Sequence, residues 1–229
     1  GAVNQETGVI EGISAVPYIH GFSWYEALAH HQLPVHLEND ANCVGLSELL
    51  AHPEIENAAC VVIGTGIGGA MIINGKLHRG RHGLGGEFGY MTTIAPAEKL
   101  NNWSQLASTG NMVRYVIEKS GQTDWDGRKI YQEAAAGNAL CQEAILRMNR
   151  NLAQGLLNIQ YLIDPDVISL GGSISQNPDF IRGVKKAVDN FVETYEEYTV
   201  APVIQACTYH ADANLYGALV NWLQEENQW

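Results

Sequence analysis

Positive charge is scarce in this sequence. Its 229 residues include 13 Lys and Arg against 25 Asp and Glu, so the formal net charge is −12 with neutral histidines. An acidic chain without a run of Lys or Arg produces no field that attracts nucleic-acid phosphates or anionic lipid headgroups. We therefore expect no nucleic-acid partner for this chain.

Long apolar runs and paired cysteines are missing as well. No stretch approaches the roughly 20 apolar residues of a membrane-spanning helix, and no basic-then-apolar leader opens the chain. The four cysteines, Cys43, Cys60, Cys141 and Cys207, stand singly, without the close spacing of zinc sites and redox pairs. We expect buried thiols without disulfides, no membrane partner and a cytoplasmic location.

Hydrophobic residues are plentiful, at 46% of the chain, while charged residues make up 17%. This balance is typical of a folded protein with a sizeable core, in one large domain or two small ones. Helix and strand patterns alternate, which favours an α/β fold. Helices are predicted over residues 25–31, 41–50, 139–163, 180–195 and 215–224, and strands over 34–38, 60–63, 70–73, 166–170 and 200–206, with a hairpin turn at Asn74-Gly75.

A glycine run from Gly64 to Gly69 directly follows the strand predicted over residues 60–63. It matches the dinucleotide-binding pattern G-x-G-x-x-G, but that fingerprint must open a helix, and here another strand follows. A glycine turn between two strands can still present backbone N–H groups to a phosphate, and Thr65 adds a hydroxyl. Phosphate contact by this turn is one interpretation, and a plain tight turn is the other.

Two polar residues, Asn39 and Asp40, stand between a predicted strand and a predicted helix. Ligands of open α/β sheets bind at such junctions. Asn and Asp are also common helix N-caps, but one helix needs only one of them. The other side chain is therefore available, and Asp40 placed there could accept a proton from a substrate hydroxyl.

Glycines surround the acidic residue Glu87 in the loop from Gly80 to Gly89, so its carboxylate is not covered by bulky neighbours. Carboxylates that accept paired hydrogen bonds commonly bind sugar hydroxyls, whereas an isolated loop Glu is simply solvated. Gly171-Gly172, after the strand predicted over residues 166–170, permits the close approach that an adenine or ribose needs, or forms an ordinary strand-to-helix turn.

Taken in order, these motifs resemble those of the ROK family of bacterial sugar kinases and sugar-responsive repressors. They are Leu37-Glu-Asn-Asp-Ala-Asn42, Ile63-Gly-Thr-Gly-Ile-Gly-Gly69, Gly83-x-x-Gly86-Glu87-x-Gly89, Asp164-Pro-x-x-Ile-x-Leu-Gly-Gly172 and Ala211-Asp-Ala-Asn-Leu-Tyr-Gly217. The resemblance implies an actin-like, ribonuclease H-like ATPase fold of two α/β domains around a cleft. Residues 1–58, with a returning helix at 213–226, would belong to the N-terminal domain, and residues 59–212 would form the C-terminal domain.

The resemblance also assigns roles to individual residues. Asp40 would be the catalytic base, Asn39 and Glu87 would bind the sugar, Thr65 and Gly66 would contact ATP phosphates, and Gly171 and Gly172 would flank the adenosine. Mg2+ would neutralise the phosphate charge. The family also implies a homodimer or a larger homo-oligomer.

The sequence departs from the family pattern at three places. Tyr90 stands where many members carry a zinc-binding His, and no cysteine-rich loop follows, so we expect Tyr90 beside the sugar and no bound zinc. Gln105 replaces a sugar-binding Glu, which leaves the sugar preference open. The chain begins without the family's N-terminal phosphate loop, and its strand-like run near Val9 lacks a preceding partner, so we expect a missing N-terminal segment.

These observations predict an ATP-dependent hexose kinase. A sugar-binding regulator whose DNA-binding segment is missing is the alternative, and an unrelated α/β protein with glycine turns is a third reading. Retention of Asp40 favours the kinase, because a sensor does not require the base.

Overall fold

The computed structural model describes residues 2–12, 16–93 and 101–228. The strands are β1 (Ala2–Asn4), β2 (Val9–Glu11), β3 (Ala58–Ile63), β4 (Ile67–Ile73), β5 (Lys76–Leu77), β6 (Thr92–Thr93), β7 (Asn101–Asn102), β8 (Val167–Gly171) and β9 (Ile204–Ala206). The α-helices are α1 (Trp24–Leu28), α2 (Asp40–Ala51), α3 (Trp103–Ala107), α4 (Thr109–Ser120), α5 (Gly127–Ala135), α6 (Ala139–Ile163), α7 (Pro178–Thr194) and α8 (Ala213–Glu225).

The main sheet has five strands in the order β5-β4-β3-β8-β9. Strand β3 runs antiparallel to β4 and parallel to β8, and β9 is parallel to β8. The turn between β4 and β5 lies at Asn74-Gly75, as predicted, and both residues have the positive φ angles, 53° and 70°, of a tight hairpin turn.

Helices cover both faces of this sheet. Alternate residues of β3 point to opposite sides, so Ala59, Val61 and Ile63 pack in the large core beneath α3 to α7. Cys60 packs on the other side, in a smaller cluster with Val44 of α2. Helix α8 packs closely on α2, where a Cβ at Gly217 would overlap the carbonyl of Cys43. The sheet therefore supports α2, whose N-terminus begins at Asp40.

The thiols and the longest helix agree with the sequence predictions. All four cysteines are buried and free, and burial raises the pKa of the Cys43 thiol to about 12. Helix α6 has the predicted bounds and is capped by the side chain of Asn138. No helix within the described ranges is long and apolar enough to cross a membrane. The domain boundary between residues 58 and 59 stays a prediction.

Two predicted strands are wrong in whole or in part. Residues 34–38 form no strand, because side chains take the place of a neighbouring strand at two of the backbone carbonyls of this segment. The Gln5 side chain donates to the Leu37 carbonyl, and the Trp222 side chain donates to the Pro34 carbonyl. The strand predicted over residues 200–206 is shortened to β9, since Pro202 has no N–H and the N–H of Val200 donates to the Tyr161 hydroxyl.

Two further predictions need adjustment near the beginning of the chain. The strand-like run near Val9 does have a partner, because β1 and β2 pair as an antiparallel hairpin. The helix predicted over residues 25–31 is α1 followed by a single 3-10 turn, Ala29–His31.

Candidate functional site

A cleft of about 420 Å3 lies beside the N-terminus of α2. Four segments form it: the start of α2, the turn between β3 and β4, the glycine-rich loop and the entry to α3. Five of the residues singled out in the sequence line it, namely Asp40, Thr65, Gly66, Glu87 and Tyr90. The fold thus brings together motifs that are separated by up to 50 positions in the chain.

Asn39 and Asp40 have different positions, as expected from the sequence: one caps α2 and the other lines the cleft. Asn39 is the N-cap of α2, because its side-chain Oδ1 accepts from the N–H groups of Ala41 (2.9 Å) and Asn42 (3.2 Å). Asp40 is the first helical residue, and its exposed carboxylate lines the cleft. Its Oδ1 accepts from the Ala41 N–H at 2.9 Å, and Oδ2 accepts no hydrogen bond from the residues that the structure describes. Asp40 is therefore available for a ligand, whereas Asn39 is occupied as a cap and does not line the cleft.

Glu87 faces the same cleft from the glycine-rich loop. The loop packs tightly onto β4, since a Cβ at Gly86 would lie 2.8 Å from the Cα of Ala70 and one at Gly89 would overlap the Ile67 carbonyl. Burial raises the pKa of the Glu87 carboxyl, and the negative charge of Asp40 raises it further. Glu87 is thus a half-buried acid that lies close enough to Asp40 for the Asp40 charge to raise its pKa.

Tyr90 stands at the rim of this cleft. It ends the short 3-10 turn Phe88–Tyr90, which directly follows Glu87. Its residue surface is 65% exposed although it lines the cleft. An exposed aromatic ring beside two carboxylates offers an apolar face to a ligand that binds them.

The turn between β3 and β4 contributes backbone donors. Its N–H groups at Thr65 and Gly66 donate to no residue within the described ranges, and both residues are exposed. Gly110 of α4 stabilises the turn, because its N–H donates to the Gly64 carbonyl at 3.1 Å. Free N–H groups on a supported glycine turn are suited to bind an anion.

The entry to α3 supplies two cleft residues that sequence reasoning missed, Asn102 and Ser104. Ser104 Oγ accepts from the Ile67 N–H at 2.8 Å and so joins α3 to β4. Asn102 and Gln105 form a capping box, in which each side chain accepts a hydrogen bond from the other residue's backbone N–H. The Asn-x-x-Gln spacing is typical of a capping box, so it could have predicted the start of α3 from the sequence.

Four predicted site residues lie outside this cleft: Asn39, Gln105, Gly171 and Gly172. Gln105 is exposed, and its side-chain oxygen is occupied by the capping box. Gly171 and Gly172 bring the end of β8 against the end of β3, where a Cβ at Gly172 would overlap the Ile63 carbonyl. The predicted contacts of Asn39 and Gln105 with sugar and of both glycines with adenosine therefore stay predictions.

No group of three or more His, Cys, Asp or Glu residues that could hold a metal ion occurs in the part of the chain that the structure describes. Asp40 and Glu87 are the acidic residues that line the cleft, and no Lys or Arg among the described residues lines it. Mg2+ usually needs only one or two carboxylates in addition to substrate phosphates and water, so this donor set fits a nucleotide-bound Mg2+.

Comparison with known proteins identifies relatives along the whole chain. The β-glucoside kinase of Listeria monocytogenes is 34% identical over 236 residues, covering 100% of this chain and 78% of that kinase. The crystal structure of a ROK family protein from Streptococcus pneumoniae TIGR4 in complex with sucrose is 92% identical, with a TM-score of 0.95 over 100% of this chain and 79% of that one. The ROK hexokinase from Thermus thermophilus is 27% identical, with a TM-score of 0.84 over 99% of this chain and 78% of that one.

These similarities confirm the predicted α/β, actin-like fold class. The expected missing N-terminal segment stays a prediction. The family model for ROK proteins matches residues 25–225, which is most of the sequence. By its sequence and its fold, this chain belongs to the ROK family.

Proposed function

We propose that the protein transfers a phosphoryl group from ATP to a hydroxyl of a hexose or hexose derivative. The observation that carries the proposal is the position of Asp40, which is not needed as a helix cap and faces the same cleft as the Thr65-Gly66 turn. A base on one side and anion-binding N–H groups on the other are what a phosphoryl transfer to an alcohol requires. The names of the kinase relatives support this reaction class.

On the sugar side, Asp40 accepts the proton of the attacking hydroxyl. Glu87 accepts hydrogen bonds from other hydroxyls of the same sugar, and its position beside Asp40 keeps the sugar oriented toward the base. Tyr90 contributes an aromatic face at the rim. A β-glucoside kinase among the relatives supports glucosides as one substrate class to be tested beside free hexoses.

On the phosphate side, the N–H groups of Thr65 and Gly66 and the Thr65 hydroxyl bind ATP phosphate oxygens. A nucleotide-bound Mg2+ supplies charge neutralisation for the transferred phosphoryl group. This contribution is needed because the described residues lining the cleft include two carboxylates and no Lys or Arg. The protein itself then acts mainly by positioning the two substrates.

A substrate panel on the full-length protein tests the proposal. The panel contains glucose, mannose, fructose, an N-acetylhexosamine and β-glucosides, with ADP release coupled to NADH oxidation. We expect ADP release that requires ATP, Mg2+ and one class of sugar, and no release without sugar. Sugar binding by calorimetry without turnover on any of these sugars would contradict a kinase and favour a sugar-binding regulator.

A further inference from the structure

Arg79 lies just before the glycine-rich loop and makes a set of polar contacts outside the cleft. Its Nε donates to Glu38 Oε2 at 2.6 Å, and its Nη2 donates to Asn221 Oδ1 of α8 at 2.9 Å. Glu225 Oε1 of α8 lies 3.7 Å from the same Nη2. The guanidinium therefore joins three segments of the chain that are far apart in sequence.

Glu38 is the buried partner in this network. Its side chain is 2% exposed, so its charge needs compensation from within the protein. While Oε2 binds Arg79, Oε1 accepts from the backbone N–H of Asn39 (2.8 Å) and from Asn42 Nδ2 (2.9 Å). Glu38 thus holds the peptide bond directly before the cap of α2 and a side chain in the first turn of that helix. Asp40 lies between these two attachment points.

The backbone of Arg79 shapes the loop that carries Glu87. Its carbonyl accepts from the Gly85 N–H at 2.8 Å, which folds the loop back over residues 78 and 79. A Cβ at Gly85 would overlap the His78 carbonyl, so only glycine permits this close return. Gly86 and Glu87 follow immediately. One residue therefore supports Glu87 through its backbone and the segment around Asp40 through its side chain.

From these contacts we infer that Arg79 and Glu38 are positioning residues, which set the placement of Asp40 relative to Glu87. This inference deepens the proposed function and rests on it. Removing Arg79 leaves the Glu38 carboxylate buried without its cation, and the carboxylate then moves toward water and releases the Asn39 N–H. A displacement of about 1 Å at a reacting group can cost on the order of 100-fold in rate.

Removing both charges together has a different consequence. In the Glu38→Gln, Arg79→Gln double variant, the amide oxygen introduced at position 38 can still accept from the Asn39 N–H, and the NH2 group of the same amide can donate to the amide at position 79. No unpaired buried charge remains. Replacement of a buried ion pair by a neutral pair is often tolerated, so the double variant keeps more of the positioning than either single variant.

A double-mutant cycle in the full-length protein tests the inference. Arg79→Gln, Glu38→Gln and the double variant are compared with the wild type for kcat, for the KM values of sugar and ATP, and for Tm. Arg81→Gln is the matched control, because Arg81 is an exposed arginine two positions after Arg79. Assays are run about 20 °C below the lowest Tm, and circular dichroism confirms folding.

In Glu38→Gln the amide replaces one of the two accepting oxygens with a donor, which then faces either the Arg79 Nε–H or the Asn39 N–H. We expect each single variant to lose about 10- to 100-fold in kcat/KM for the sugar while its KM for ATP stays within about twofold. The double variant should lose less than either single variant, and therefore less than the product of the two single losses, and Arg81→Gln should match the wild type. Single variants that keep kcat/KM within twofold, or a lower Tm with unchanged kinetics, would overturn the inference. So would a double variant whose loss equals that product.

The wild type serves as the test of the proposed function in the same assay. If the wild type turns over but the loss in the double variant equals the product of the single losses, the positioning role is refuted and the kinase proposal stands. A wild type that binds sugar without turnover refutes the kinase, and the same cycle is then measured on the Kd for sugar. If the wild type neither binds nor phosphorylates any sugar of the panel, both conclusions fall.

Discussion

Replacing Asp40 with Asn separates catalysis from helix capping. Asn39 already caps α2, so the variant keeps its cap. The new amide oxygen can still accept from the Ala41 N–H, as Asp40 Oδ1 does at 2.9 Å. The amide is nearly isosteric with the carboxylate and can hydrogen-bond a sugar hydroxyl, but it cannot take the hydroxyl proton. The substitution therefore removes the base and little else.

Two magnitudes follow from this geometry. The loss of one negative charge in the first turn of α2 should destabilise the protein by about 0.3–1 kcal/mol, because that charge interacts favourably with the helix dipole. A chain of this size then shows a Tm lower by no more than about 4 °C. The loss of a positioned base should lower kcat by about 10²- to 10⁴-fold, which is about 2.7–5.4 kcal/mol in the activation barrier.

The assay measures kcat by coupled ADP release, sugar affinity by calorimetry and Tm by circular dichroism, all on the full-length protein. We expect a large loss in kcat with sugar affinity and Tm nearly unchanged. A variant that retains more than about a tenth of the wild-type kcat would refute the assignment of Asp40 as the base. If the variant does not fold, Asp40→Glu is measured next: it keeps a carboxylate but displaces it, so kcat should fall while Tm and sugar affinity stay nearly unchanged, and an unchanged kcat would refute a positioned base.

Three further outcomes are expected. Glu87→Ala should weaken sugar binding by about 1.5–3 kcal/mol, or about 10- to 150-fold in Kd by calorimetry, with ATP affinity unchanged; an unchanged Kd for sugar would return Glu87 to an ordinary loop residue. Because burial raises the Glu87 pKa, folding disfavours its charged form, so the Tm of Glu87→Gln relative to wild type should rise as pH increases from 4.5, the usual value, to the raised pKa of the folded state; a constant or falling difference would contradict that shift. Asn39→Ala should lower Tm by about 2–4 °C, since a lost N-cap costs about 1 kcal/mol; an unchanged Tm would show that the cap is dispensable.

Local sequence signals predicted the elements that are stabilised by their own residues. Helix α6 carries apolar residues at regular three- and four-residue steps over 25 positions, so its bounds follow directly from the pattern. The Asn74-Gly75 turn likewise depends on two residues that tolerate positive φ. The segment over residues 34–38 failed because its alternation of apolar and polar side chains cannot show whether a neighbouring strand is available to pair with it.

In the candidate site, too, the sequence predicted individual residues but not which of them lie close together in the fold. Asp40 and Glu87 could be singled out individually, since each sits in a distinctive local sequence. Their proximity depends on how α2 and the glycine-rich loop pack against β4, which no spacing in the chain encodes. The Glu38–Arg79 pair was missed for this reason, because 41 positions separate the two residues and nothing near either one points to the other.

Trp103 has a consequence for the energetics of ligand binding. This fully buried indole lies between the cleft residues Asn102 and Ser104, donates from Nε1 to the Asn151 carbonyl of α6 at 2.8 Å, and packs where a Cβ at Gly155 would overlap its ring. One wall of the cleft is thereby anchored to the longest helix of the protein before any ligand arrives. Binding then loses little conformational entropy in ordering this wall, so the affinity for a ligand that contacts it reflects the contacts themselves.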